Sequence, residues 1–504
     1  MKKTNTLVIL CISVFFSLTA CSSSTIDIDN SVAEPVIPNP VPSNSQVKVF
    51  TTTADGLYAL EESTDTVKTG TNMAPTTLQI DPSVKYQTMD GFGFALTYSS
   101  CYNLLKMSQT DRTAFLKRTY SPTEGYGVSY ARISIGCCDF SSTKYTLCDK
   151  EGIENFALQS DEINYVIPVL KEILAINPDL KIIAAPWTCP KWIKVKDLKT
   201  LTPYDSWTDG HINPALYDTY AQYFVKFVQA MKQQGINIYA VSPQNEPLNK
   251  GNVASTYIPW EEEAPLVKAM AGEFKGNGIT TKIYVYDHNY DYSGIAQEED
   301  YPVKLYAALG DNYEGSELVV GAAYHDYGGS NSELSDIASK APTKSLMFSE
   351  TALGSWNDGR NLSKRLLSDM NNIVLGTVNK YCKAVLVWNL MLDKKTGPTL
   401  GSSSQYGAVD IDQTNYSGLS YNSHYFIITH MSSVVKPGAV RIGESRTPDK
   451  ANLIHSEYLN PDGTYAAVLL NKGDEDLKIT LSDGTNYFGV KVPANSIVSC
   501  RWKK

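Results

Sequence analysis

No stretch of this chain is long and apolar enough to be a comfortable bilayer span. The most apolar run, residues 7–18, falls short of that length. There is no basic cluster, and the net charge is −9. Nucleic acid and anionic membrane surfaces are therefore excluded as expected partners. The six histidines are scattered, and no Cys/His spacing resembles a zinc site, so no metal or other cofactor is expected. Setting aside Cys11 and Cys21, an odd number of cysteines remains, and they form no regular disulfide framework. Cys137 or Cys138 with Cys148 is the only local pairing worth considering. No internal repeat is evident.

What is present begins with a leader. Lys2 and Lys3 precede the apolar run, which ends in Leu18-Thr19-Ala20-Cys21. This is the pattern of a bacterial secretion signal over residues 1–20, and a cysteine directly after Leu-Thr-Ala has the form of a lipobox. Cys21 is then the lipidated first residue of an exported, membrane-anchored protein, facing the periplasm or the cell surface. Residues 21–46 are rich in Ser, Asn, Asp and Pro, with Pro35, Pro38, Pro40 and Pro42 favouring an extended tether. Such a tether reaches roughly 25–80 Å between its coiled and extended limits.

Beyond the tether, short β-branched runs alternate with amphipathic helical stretches. Eight candidate strands cover residues 88–97, 128–136, 181–189, 237–246, 282–289, 318–327, 345–351 and 384–391. Between them, residues 161–176 and 214–233 carry apolar side chains at helical spacing. The alternation predicts an α/β fold, a (β/α)8 barrel over residues 84–435. The flanks read differently. Residues 47–83 and 436–504 hold short alternating strands separated by turns such as Pro461-Asp462-Gly463. They predict a small antiparallel β-sandwich built from both chain ends, and the whole is expected to be a monomer.

In such a barrel the active site lies where strands end. Here those ends read Thr97-Tyr98, Cys138-Asp139, Trp187-Thr188, Asn245-Glu246, Asp287-His288, His325-Asp326-Tyr327, Glu350 and Trp388-Asn389. Any one of these is ordinary as a helix cap. Together they suit a polar cleft the size of a sugar, as does the abundance of tyrosine, 32 in all. Two glutamates stand out. Glu246 and Glu350 close the fourth and seventh strands and so face each other across the barrel mouth. Glycoside hydrolysis needs two such carboxyl groups, about 5–5.5 Å apart for retention or roughly 6.5–9.5 Å apart for inversion. One must be protonated while the other is ionised. Asn245, next to Glu246, is placed to hydrogen-bond a sugar 2-hydroxyl, and Pro247 fixes the turn.

These segments resemble glycoside hydrolase family 30, which includes glucosylceramidases and β-1,6-glucanases. The resemblance runs from about residue 90 to residue 502. It rests on MDGFGFALT, RTYSPTEGYGVSYARISIGCCDFS, AAPWTCPKWIK, YAVSPQNEP, AAYHDYGG, LMFSETALGSW, VLVWNLMLD and HYFIITHMSSVVKPGAVRI. By position the resemblance implies that Glu246 is the acid/base and Glu350 the nucleophile of a retaining double displacement. It implies that Asp139 binds sugar hydroxyls, Trp187 holds the glycone and Asn245 contacts the 2-hydroxyl. Tyr327 lies near the nucleophile, and Trp388 forms an aromatic floor. The chain departs from the family in having Tyr98 where an acidic residue is usual. The expected substrate is a β-linked glucan, foremost β-1,6-glucan. Glucosylceramidase-like or xylanase activity stands beside it, and an inactive carbohydrate-binding lipoprotein is the alternative outside enzymes.

Overall fold

The structure, a computed structural model, describes residues 47–503 except 71 and 73. The secretion signal, Cys21 and the tether lie outside the described residues. Among those described, no helix is long and apolar enough to cross a membrane.

The eight apolar runs become the strands β1 (Gly91–Ala95), β2 (Tyr130–Ser134), β3 (Lys181–Ala185), β4 (Ala240–Val241), β5 (Lys282–Asn289), β6 (Val319–His325), β7 (Ser345–Glu350) and β8 (Cys382–Val387). Each pairs in parallel with its sequence neighbours, and β8 closes onto β1. The strands are buried on both faces, as parallel barrel strands must be. Their inward side chains form a core of their own: Tyr130, Ile183, Ala240, Tyr284, Ala323, Met347, Ala384 and Leu386. β1 adds no bulk to it. A Cβ on Gly93 would stand 1.8 Å from the Tyr130 carbonyl oxygen, so close strand approach requires glycine there. The outward faces pack against helices such as Tyr217–Gln233, which turns Tyr220, Phe224, Phe227 and Met231 inward at helical spacing.

β4 differs from its expectation. Only Ala240 and Val241 pair as strand, and Glu246 sits beyond them in a turn. That turn is held by hydrogen bonds from Asn245 N–H to the Pro186 carbonyl (2.8 Å) and from Glu246 N–H to the Asp287 carbonyl (3.0 Å).

Both chain ends contribute to one ten-stranded sheet, which includes Val47–Thr53 and Thr77–Thr88 from the N-terminal side and six strands from Val440 to Trp502. The sheet folds over a shared apolar core, with the Phe488 and Trp502 rings meeting at 5.2 Å. It is not wholly antiparallel, since Thr77–Thr88 and Leu477–Ser482 run parallel where they pair. Thr77–Thr88 continues past residue 83 and pairs with Val440 as far as Thr88. The buried helix Ser423–Val434 joins sheet to barrel, and His430 bridges Ser499 and Thr52 with 2.8 Å contacts from its two ring nitrogens. All seven cysteines of the described residues are free and buried, so the Cys137 or Cys138 pairing with Cys148 does not form.

Candidate active site

The C-terminal strand ends converge on a buried ionic network. Its centre is Arg132, in the middle of β2 and fully buried. Its guanidinium donates to Glu350 Oε2, to Asn245 Oδ1 (2.7 Å) and to Asp287 Oδ2 (2.9 Å). A buried arginine is tolerable only when its charge is matched in this way, and of its nitrogens Nε alone finds no hydrogen-bond partner. Asp287 also accepts from Ser349 Oγ (2.5 Å) and faces His325 Nε2 at 3.1 Å. The other ring nitrogen of His325, Nδ1, lies 3.6 Å from Glu246 Oε1, a charge contact longer than a hydrogen bond.

The two glutamates are both buried. A carboxylate oxygen of each, together with a His325 ring nitrogen, lies within 4.8 Å of the others. That spacing is on the retaining side of the two geometries. The trio also has the donor types of a metal site. Here charge compensation comes from the chain itself, through Arg132 on Glu350 and His325 beside Glu246.

Glu350 ends β7 and accepts from Arg132 and from the Tyr327 hydroxyl (3.1 Å). Glu246 accepts at Oε2 from Asn249 (2.8 Å) and Asn252 (3.2 Å). Its backbone is left-handed, with φ at 49°, a conformation that costs a non-glycine residue roughly 1–2 kcal/mol. Asp287 and Asn389, at two other strand ends, are left-handed as well.

Burial favours the neutral form of both carboxyls, but the partners differ. For Glu246, burial is outweighed by the contact with His325, the charges of His288 and His325, and the Asn249 amide, which bring it down to about 2. Glu350 is pushed above the usual carboxylate range by burial and the Glu246 charge, against the pull of His325 and Arg132. Burial opposes charge on His325 too, yet Glu350, Asp287 and Glu246 hold it up to about 9. It is therefore a cation at neutral pH. His288 is lowered by burial to about 4, so it is neutral near pH 7 and carries charge only in the acid range where Glu246 titrates.

The pocket walls carry the remaining expected residues. Trp187 and Trp388 are buried and lie 5.2 Å apart, each about as close to the Arg132 guanidinium. Gln244 donates to the Trp187 carbonyl (2.6 Å) and fixes that strand end. Arg132 occupies Asn245 Oδ1, so the Asn245 NH2 is the part of the amide oriented to donate. Asp139 is half-buried and is raised to about 8 by burial and by the Glu350 charge. Its carboxylate meets Gln405 Nε2 at 3.4 Å. Tyr98 packs its ring against Tyr165 (4.8 Å) and Tyr102 (5.9 Å).

The sequence reading missed Arg132, Asn249, Asn252 and Gln405, and it gave His325 and Asp287 no role. Arg132 had a signal, a lone cation inside the apolar strand YARIS. Such a residue demands acidic partners inside the barrel. The amides had none, because their roles depend on loop paths.

This arrangement, two close carboxylates at the fourth and seventh strand ends of a parallel barrel beneath aromatic walls, defines a glycoside hydrolase. The chain matches the family model "Glycosyl hydrolase family 30 TIM-barrel domain" over residues 89–268 and that family's β-sandwich domain over residues 438–500. Its fold superimposes on the solved endo-β-1,6-glucanase BT3312 with a TM-score of 0.87 and 52% identity, covering 91% of this chain and 100% of that one. An endo-1,6-β-D-glucanase of Trichoderma harzianum is 26% identical over 93% of this chain and 96% of its own length. The lysosomal acid glucosylceramidase of Mus musculus is 24% identical over 87% and 85%. The chain belongs to glycoside hydrolase family 30, a family of retaining glycosidases.

Proposed function

We propose that the protein is an endo-β-1,6-glucanase working by double displacement, with Glu350 as nucleophile and Glu246 as acid/base. The observation that carries the reading is the separation of the two carboxylates, at most 4.8 Å between the facing oxygens, beside Arg132. A gap that short leaves no room for a water opposite the leaving group, so the carboxylate itself must attack. The β-1,6 linkage is supported by the solved glucanase and the fungal enzymes that the chain resembles.

In the free pocket, charged His325 draws the pair's proton away from Glu246 and toward Glu350. The two titrate as one coupled unit. A bound glycone reverses the bias, because positive charge developing at the anomeric carbon favours ionised Glu350. Glu246 then protonates the glycosidic oxygen as it leaves, and Glu350 forms a covalent bond to the anomeric carbon. A water enters in place of the departed sugar, Glu246 takes its proton, and the second inversion restores the β configuration. Asn245 donates to the 2-hydroxyl, Trp388 floors the ring, and Asp139 with Trp187 holds the glycone.

Digestion of β-1,6-glucan tests this reading. A ladder of oligosaccharides released as the β anomer, seen by proton NMR before mutarotation, is expected. Glucose as sole product would overturn endo action, and α-anomeric products would overturn the carboxylate pair.

The leader adds a location. Lipid on Cys21 and the proline-rich tether are proposed to hold a monomeric enzyme at the membrane, within reach of an external polymer. Cys21→Ala is expected to release active protein from the membrane fraction.

A further inference from the structure

The loop after β7 exposes an aromatic surface that the catalytic steps do not use. Trp356, in the short turn Ser355–Asn357, is 55% exposed, and it is the one exposed tryptophan among the described residues. It is nonetheless held in place. Three carbons of its ring lie within 2.3 Å of where a Cβ on Gly354 would stand. Gly354 has an extended backbone that any residue adopts, with φ at −166°, so what the position demands is the missing side chain. The turn is pinned by the Gly354 N–H on Asn357 Oδ1 (2.9 Å) and the Gly359 N–H on the Gly354 carbonyl (2.9 Å). Leu353 and Gly354 pair with Tyr406 and Gln405 in a short antiparallel ladder. Gln405 in turn reaches Asp139. Trp356, Gly354, Gln405 and Asp139 therefore form a continuous path from the rim into the pocket. Tyr327, 42% exposed, borders Glu350 from the preceding strand end.

We infer that Trp356 is a stacking platform for a second glucosyl ring of the substrate, next to the ring held in the pocket. The inference rests on the β-glucan reading above and adds a binding site to it. The C–H face of a glucopyranose is flat and apolar, and it matches an indole that packs on Gly354 and stays more than half exposed. A 1,6-linked chain has an additional rotatable exocyclic bond at each linkage and loses more freedom when bound. A rigid platform lowers that cost by meeting the chain in place.

The test compares the parent enzyme with Trp356→Ala and Trp356→Phe. The quantity read is kcat/KM on β-1,6-linked gluco-oligosaccharides of increasing length, relative to β-glucosyl fluoride, which fills only the pocket. In Trp356→Ala this ratio is expected to fall about tenfold for the longer oligosaccharides, equivalent to about 1.4 kcal/mol, with the loss in KM. Trp356→Phe is expected to recover most of it. A ratio equal to the parent's at every length would overturn the platform. An equal loss on the fluoride and the oligosaccharides would overturn it too, since that marks a role in folding the loop. If the parent cleaves a β-glucan of another linkage and spares the 1,6-linked one, the linkage reading fails. The same length series on the cleaved glucan then still decides the role of Trp356.

Discussion

Arg132 on β2 and Asp287 on β5 meet across the barrel mouth at 2.9 Å, and neither side chain is exposed to solvent. This pair lets the pocket hold so many acids. Asp287 is kept well below the usual carboxylate range, burial notwithstanding, by the Arg132 charge and by His325 and Ser349. Thus anchored, Arg132 turns its remaining donors on Glu350 and Asn245. Removing one member of such a buried pair typically costs about 3–5 kcal/mol, because the other charge is stranded.

The roles of the two glutamates separate by leaving group. Glu350→Gln is expected to lose at least about 10³-fold in kcat on every substrate, since no covalent intermediate can form. Added azide does not restore a step that still needs the nucleophile unless it attacks directly, giving a glycosyl azide of inverted configuration. Glu246→Ala is expected to lose about 10²–10⁴-fold on glucan and far less on an aryl glycoside whose leaving oxygen needs no proton. Steady-state rates on both substrates check this. Equal losses for Glu246→Ala would contradict its assignment.

His325 faces Glu246 on one side and Asp287 on the other, and its charge lowers the carboxyls of both Glu246 and Glu350. An uncharged residue in its place takes that pull away, so the carboxyl pKa values rise. In His325→Gln both limbs of the bell-shaped kcat/KM profile are expected to move to higher pH, by about one unit. A profile that loses height without moving would assign His325 to packing alone.

Acid should loosen the joint between barrel and sheet. His430 is buried between them and is lowered to about 3 from its ordinary 6.5. The unfolded chain therefore takes up the proton first. Stability is intact above pH 6.5 and declines as pH falls toward 3, by about 1.4 kcal/mol per pH unit from this group. His424, also lowered by burial to about 3, adds to the same slope. The thermal midpoint of His430→Asn is expected to fall less steeply between pH 6 and pH 4 than that of the parent, although the variant starts lower because the bridge to Ser499 and Thr52 is weakened.

Much of this was legible along the chain. The eight barrel strands fall within the eight apolar runs, apart from the first residues of β8, and the flanking strands fall where alternation and turn residues put them. Glu246 and Glu350 could be picked out because a carboxylate that ends an apolar strand has few structural uses. The short extent of β4 was legible in Pro243, which argues against a central strand there, but the expected strand ran on to Glu246. Residues 242–246 read Ser-Pro-Gln-Asn-Glu, types that strands disfavour, and their backbone bonds go to the Ala184, Pro186 and Asp287 carbonyls, on or just beyond the neighbouring strands. The parallel pairing of Thr77–Thr88 with Leu477–Ser482 was not legible, since it joins segments from opposite ends of the chain.

The sequence by itself determined the barrel, the strand ends that meet at its mouth and the two glutamates that face each other there, because periodicity and strand-end composition are local properties. Only the tertiary structure decided which cation serves which acid. Arg132, Asp287, His325, Glu246 and Glu350 come from five different strand regions, and their charges interact through space at distances that no spacing along the chain encodes. It also decided where the proton of the pair rests. Burial and neighbouring charge set that balance, and both exist only once the barrel has closed.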